Sequence, residues 1–147
     1  AEQEFETAVI EAAIAEAEFD PIPDPMLHSE LDRMLQELRY DIEQQGAKFD
    51  DYLKHIKKTE QELRDNWKER AQQRVKSALL LKTIGETENI TVSEADIDAQ
   101  AEKYRSIYKD SPELGDRLNS LDFRAYLRTS LRNDEAMKKL KQYAEKN

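Results

Sequence analysis

Apolar side chains recur at helical spacing along most of the chain, the mark of helices lying on a surface. Over residues 2–18 the stripe is Phe5, Val9, Ala12 or Ala13 and Ala17, widened by Ile10 and Ile14. Prolines at 21, 23 and 25 then forbid a continuous helix and favour an extended strut. Asp24-Pro25 reads as an N-cap followed by a proline in the first helical position. The helix it opens carries Leu27, Leu31, Met34, Leu38 and Ile42, close to heptad spacing, with Met26 and Leu35 widening the stripe. Gly46 suits its left-handed stop. Lys48 to Lys57 is a short amphipathic helix bearing Phe49, Tyr52, Leu53 and Ile56. Thr59-Glu60-Gln61-Glu62 is a capping box. It predicts one long helix to about Thr87 with Leu63, Trp67, Ala71, Val75 and Ala78 or Leu79 inward.

One stretch departs from the surface pattern. From Arg74 to Ile97 the apolar residues run together as Ala78, Leu79, Leu80 and Leu81, then Ile84. A helix apolar all round needs several neighbours to cover it, so this stretch is expected where helices converge. Gly85 is expected to loosen it and Asn89 to end it, with Ile90-Thr91-Val92 a short extended link. Ser93 opens the next helix, with Asp96 placed to reciprocate its cap. That helix presents Ile97, Ala101, Tyr104 and Tyr108. Ser111-Pro112 starts a short helix through Leu118, and Ser120 opens the last. There Phe123, Leu127, Leu131 and Leu140 point inward, with Met137, Tyr143 and Ala144 beside them. No segment reads as a strand and no internal repeat is visible. The fold class is all-α, with the helices at 25–45 and 60–87 paired as a projecting antiparallel hairpin. At the helical rise such an arm is roughly 30 Å long or more.

Composition adjusts this picture. Apolar residues are 38% and charged residues 37%, thin for a compact globule and ordinary for an elongated helical protein. A net charge of -9 argues against nucleic acid as a direct partner, because phosphate contacts demand a basic field. No run reaches membrane-spanning length and no signal-peptide pattern opens the chain. The first residue is Ala, which fits an excised domain or a processed product. No cysteine is present, so neither disulfides nor thiol chemistry enter.

Nothing carries chemistry in a recognisable pattern, and no enzyme activity, metal or cofactor is expected. The two histidines, His28 and His55, lie on separate elements and make a poor zinc site. Carboxylate pairs such as Glu60 with Glu62 and Asp96 with Asp98 sit where helix dipoles favour them. The three glycines are too far apart for a phosphate loop. What remains is apolar surface. Met26, Leu27, Met34 and Leu35, with Phe49 and Tyr52 at the hairpin tip, are the candidate client-binding residues. Two readings stand open for them: burial against the long helix, or exposure as an interaction site. Leu31 and Leu38 read as core, and Trp67 as an interhelix anchor. The heptad-like stripe also allows a scaffold that binds a folded partner or a second copy.

Several pieces carry a family resemblance when taken in order. They are Ile22-Pro23 followed by Met26-Leu27-His28-Ser29-Glu30-Leu31, and Gly46-Ala47-Lys48-Phe49-Asp50-Asp51-Tyr52-Leu53. Then come Lys58-Thr59-Glu60-Gln61-Glu62-Leu63-Arg64, leading to Leu79-Leu80-Leu81, and Ile90-Thr91-Val92-Ser93-Glu94-Ala95-Asp96-Ile97. In these the sequence resembles the C-terminal domain of trigger factor, the bacterial ribosome-associated chaperone. The resemblance implies one helical domain over residues 1–147, with arm helices over about 25–87 and a body and second arm over about 88–147. It implies a cytoplasmic, ATP-independent chaperone segment that holds unfolded or nascent polypeptides on scattered apolar patches; a homodimer is what the heptad-like stripe allows. The family's ribosome-docking and prolyl isomerase domains are not among these residues, so neither ribosome docking by that route nor isomerisation is expected of them. Leu79 to Ile97 with Tyr126-Leu127-Arg128 is also similar to the SurA-like periplasmic chaperones, which leaves that core as the alternative.

Overall fold

Capping and stop signals written in the sequence set most helix ends of the computed structural model. It describes residues 1–109 and 112–146, with the side chains of 112–114 excepted. The described residues form the helices α1 (Glu2–Glu16), α2 (Asp24–Gln44), α3 (Phe49–Ile56), α4 (Glu60–Asn66), α5 (Lys68–Thr87), α6 (Glu94–Ile107), α7 (Pro112–Leu118) and α8 (Leu121–Lys146). No strand occurs among them, and the fold is all-α. Ser111, expected to cap α7, lies outside the described residues.

The caps follow the sequence closely. Thr59 and Glu62 form a complete capping box, Glu62 N–H donating to Thr59 Oγ1 at 3.2 Å and Thr59 N–H to Glu62 Oε2 at 2.7 Å. Ser93 Oγ accepts from Asp96 N–H at 3.1 Å and donates to Asp96 Oδ2 at 2.7 Å. Ser120 Oγ accepts from Phe123 N–H at 3.1 Å. Gly46, with φ of 79°, ends α2 while Ala47 N–H donates back to the Ile42 carbonyl. Asn89, with φ of 51°, ends α5 in the same way through Ile90 N–H and the Gly85 carbonyl. Both are Schellman stops. Lys57 makes a third left-handed stop after α3, with φ of 54° and no glycine to announce it.

Two expectations about helix ends are corrected. α2 is capped by Pro23, not Asp24: the Pro23 carbonyl accepts from Met26 and Leu27 N–H at 3.0 and 3.3 Å. Pro23 is already extended, with φ of -58° and ψ of 138°, so the helix can start one residue earlier. Asp24 then sits in the first turn, where the dipole favours its charge. The long helix from the capping box is interrupted at Trp67, which separates α4 from α5 with φ of -95° and ψ of 0°. The weak helix formers Asp65 and Asn66 precede it, and its indole packs against two separate apolar clusters.

The chain divides into two units, with the divisions falling inside α1 and α5. The hairpin unit is Ile14–Leu79. In it α2 lies antiparallel to α4 and α5. Leu35 and Ile42 pack with Phe49 and Leu63 in one cluster, and Leu31 and Met34 with Ala71 in the next. Ion pairs stitch its flank: Arg74 grips Glu37 with two bonds of 3.0 and 2.9 Å and reaches Glu30 at 2.7 Å, while Arg64 holds Asp32. Arg74 also holds the Glu37 carboxyl below its ordinary range. The proline strut is tied down inside this unit, with Lys76 Nζ 5.5 Å from the centre of the Phe19 ring.

The terminal unit comprises Ala1–Ala13 and Leu80–Asn147. Its core is Ile97, Ala101 and Leu127, with Val92, Tyr104, Phe123 and Leu131 around them. Arg124 bridges α8 to both Glu94 and Asp98 of α6, at 2.6 and 2.7 Å. Lys141 binds Glu6 and Glu2 of α1 at 2.7 and 3.3 Å. The Leu79, Leu80 and Leu81 run, expected to be fully covered, is half-buried throughout, as is Ile84. Gly85 does not loosen α5. It is buried, with the Arg132 side chain laid across it. Phe5, placed on an inward stripe by spacing, and Tyr143, placed beside one, are 43% and 42% exposed; Tyr143 hydrogen-bonds Glu88.

Candidate functional site

The candidate site is assembled from apolar side chains. No group of three acidic, histidine or cysteine side chains is arranged to hold a metal among the described residues. His28 and His55 are both exposed.

The residues singled out from the sequence separate sharply. Met34, Leu35 and Phe49 are buried in the hairpin core. Leu27 and Tyr52 are half-buried and pack against the same clusters. Phe49 is held further by the Arg39 guanidinium, 4.7 Å above its ring centre. Leu31 and Ile42 are buried as well, so the heptad-like stripe is consumed within the hairpin. Met26 is the exception, 39% exposed on the first turn of α2.

Met26 borders a groove of about 370 Å³ between α2 and α5, floored by Val75, Ala78 and Leu79 and edged by Pro25 and Ser29. Its acid, the half-buried Glu30, pairs with Arg74 at 2.7 Å and with Arg33, which also lines the groove, at 3.8 Å. An apolar floor with a compensated charge favours an apolar side chain over a charged one.

A second surface lies on the terminal unit and was not foreseen. The rings of Tyr108, Tyr104, Phe123 and Tyr126 follow one another from α6 to α8. Tyr108 stacks on Tyr104 at 6.4 Å, Tyr104 meets Phe123 edge-on at 5.4 Å, and Phe123 stacks on Tyr126 at 6.1 Å. Burial first, and then the neighbouring Tyr126, push the Tyr104 hydroxyl above its ordinary range. The inner pair belongs to the core, whereas Tyr108 is 44% and Tyr126 58% exposed. In the same two helices Ile107 is 70% and Leu121 84% exposed. The signal was present in the spacing: Ile107, Leu121 and Tyr126 are large apolar residues off the inward stripes of two helices that pack together.

What the arrangement offers is apolar surface, aromatic rings with polar tips, and neighbouring paired charge. A family model described as bacterial trigger factor protein (TF) C-terminus matches residues 1–142. Relatives bearing the name trigger factor include that of Geobacillus kaustophilus, 39% identical over 123 residues, which are 83% of this chain and 28% of the relative. That of Staphylococcus epidermidis is 41% identical over 113 residues, 77% of this chain and 26% of the relative. That of Clostridium beijerinckii is 38% identical over 108 residues, 74% of this chain and 25% of the relative. The chain thus spans about a quarter of the length of these relatives. No solved structure matches it.

Proposed function

The chain belongs to the trigger factor family, as its C-terminal domain, and from that premise we propose that it is an ATP-independent chaperone segment. It holds unfolded or nascent polypeptide through many weak apolar contacts and releases it without chemistry. The observation that carries this reading is the set Ile107, Tyr108, Leu121 and Tyr126, large apolar side chains left exposed within one unit of the chain. Exposed apolar surface of this kind marks interaction sites. Tyrosine suits a sequence-tolerant surface, because it presents a rigid apolar face with a polar tip. The Met26 groove adds a second patch with an adaptable side chain. We place the protein in the cytoplasm on the same family premise; no helix among the described residues is long and apolar enough to cross a membrane.

The test is suppression of aggregation. A chemically denatured protein is diluted into buffer with and without the full chain at equal molar ratio, and light scattering is followed. Slowed aggregation that is lost when Leu121 and Tyr126 are both changed to Glu supports the reading. Unchanged scattering with the unaltered chain overturns it.

A further inference from the structure

The link between α5 and α6 leaves main-chain groups open beside a groove. Ile90 N–H closes α5 on the Gly85 carbonyl at 2.9 Å, and the Ser93 carbonyl opens α6 by accepting from Ile97 N–H at 3.2 Å. Between these bonds the N–H and carbonyl groups of Thr91 and Val92 meet no partner among the described residues. Their side chains alternate. Ile90 and Val92 are half-buried, Val92 against the Ile97–Leu127 core, while Thr91 faces out. That in-and-out period of two is the pattern of a strand with one face packed, here with no neighbour.

The segment lines a groove of about 500 Å³ in the terminal unit, within the range of about 300–1,000 Å³ for ligand sites. Its apolar lining is Ile90 and Val92 with Leu131 of α8 and Ala99 of α6, and Thr91 and Gln100 stand among them. The rim carries Lys103, Lys138 and Lys139 against Asp96, Asp134 and Glu135, so its charges balance in a chain whose net charge is -9.

We propose that Ile90-Thr91-Val92 is a docking edge that pairs main chain to main chain with an extended, low-charge stretch of an unfolded polypeptide. An extended segment is the occupant that fits. A helix has spent its own backbone groups internally, whereas an extended chain supplies both donors and acceptors to an open edge. Its alternate side chains would reach the floor of Ile90, Val92 and Leu131. The balanced rim gives no reward to a segment of either sign, which suits an uncharged one. Because every polypeptide shares the same backbone, such an edge reads unfoldedness with little regard to sequence. This inference rests on the proposed chaperone reading and adds to it a mode of recognition that apolar patches alone do not provide.

Amide chemical shifts of the full chain test it, with two probes. One is a short uncharged peptide alternating threonine and valine. The other is the same peptide N-methylated at every second residue, which removes the donors along one edge. The first is expected to move the Thr91 and Val92 amide signals and the second to bind about fivefold more weakly, the loss of roughly one net hydrogen bond. Equal binding of the two peptides overturns the proposal. So does movement confined to Tyr108 and Tyr126, although the chaperone reading then stands. If a denatured protein moves no signal either, both readings fall. Shifts at residues 90–92 that follow protein concentration without peptide would identify the occupant as a second copy and overturn the proposal.

Discussion

Arg132 lies across Gly85 so closely that a Cβ on residue 85 would stand 3.0 Å from Arg132 Cδ and 3.2 Å from its Cγ. The glycine is inside α5 with no positive φ, so it is there for space and not for conformation. Glycine in a helix interior costs about 1 kcal/mol relative to alanine. Gly85→Ala should therefore be stabilising by about that amount in an Arg132→Ala background, where nothing opposes the new methyl. With Arg132 present the gain should shrink, because the guanidinium arm must move. Urea denaturation of the two single variants and the double variant measures the difference as a coupling energy.

Phe49 tests the hairpin tip. It was a candidate contact for a partner, yet it is 5% exposed and packed with Leu35, Ile42 and Leu63. Phe49→Ala is expected to cost about 3–5 kcal/mol, the range for truncating a buried aromatic. The loss should appear as a lower denaturation midpoint. Leu80→Ala, at a half-buried position, should cost less than the roughly 2–5 kcal/mol of a core leucine.

Helix ends were legible because their signals are local. Thr59 with Glu62, Gly46 and Asn89 each act within a few residues as the sequence indicates, and Ser93 caps α6, although Asp96 answers the Ser93 hydroxyl and not its backbone N–H. The all-α class and the pairing of α2 with the helices after it followed from periodicity. The Trp67 interruption did not, since it depends on an indole shared between two clusters that form only when α2 is in place. The candidate site was half legible for the same reason. A stripe shows which residues share a helix face, and it cannot show that Met34 and Phe49 meet a neighbour while Met26, on the same helix as Met34, overhangs a groove. Tyr104, Tyr108 and Phe123 lie on the stripes that periodicity marks, but their meeting across α6 and α8, and the exposure of Tyr126 at the end of the series, depend on how the two helices pack.

Acid should loosen the pairing of α6 with α8. Arg124 first, and Arg128 second, hold the Glu94 carboxyl below its ordinary value of 4.5. A carboxyl with a lowered folded-state pKa contributes stability above the unfolded value and loses it as pH falls through the folded one. The thermal midpoint should therefore drop as pH falls below about 4.5, and added salt should blunt the effect because these groups are exposed. Glu94→Gln should start from a slightly lower midpoint at neutral pH and fall less steeply. A parallel pH course for the two proteins would show that other carboxyls govern the acid transition.

Leu121 and Tyr126 separate binding from folding most cleanly. Leu121 sits just after the Ser120 cap and is 84% exposed, and Tyr126 is 58% exposed at the outer end of the ring series. Leu121→Glu should leave helicity intact and shift stability by no more than about 0.5 kcal/mol, while Tyr126→Glu also gives up the stack on Phe123, worth about 0.5–1.5 kcal/mol, without opening the Ile97–Leu127 core. The same changes put charge on the surface expected to hold apolar segments, and should weaken capture of a denatured protein severalfold. Leu127→Ala gives the opposite outcome: burial of 1% makes it core, so stability should fall by about 2–5 kcal/mol. Thermal denaturation and client capture measured on both variants distinguish a surface that binds from one that merely holds the unit together. If the exposed pair proves silent in capture while Met26→Glu reduces it, the hairpin groove is the principal contact and the ring series is secondary.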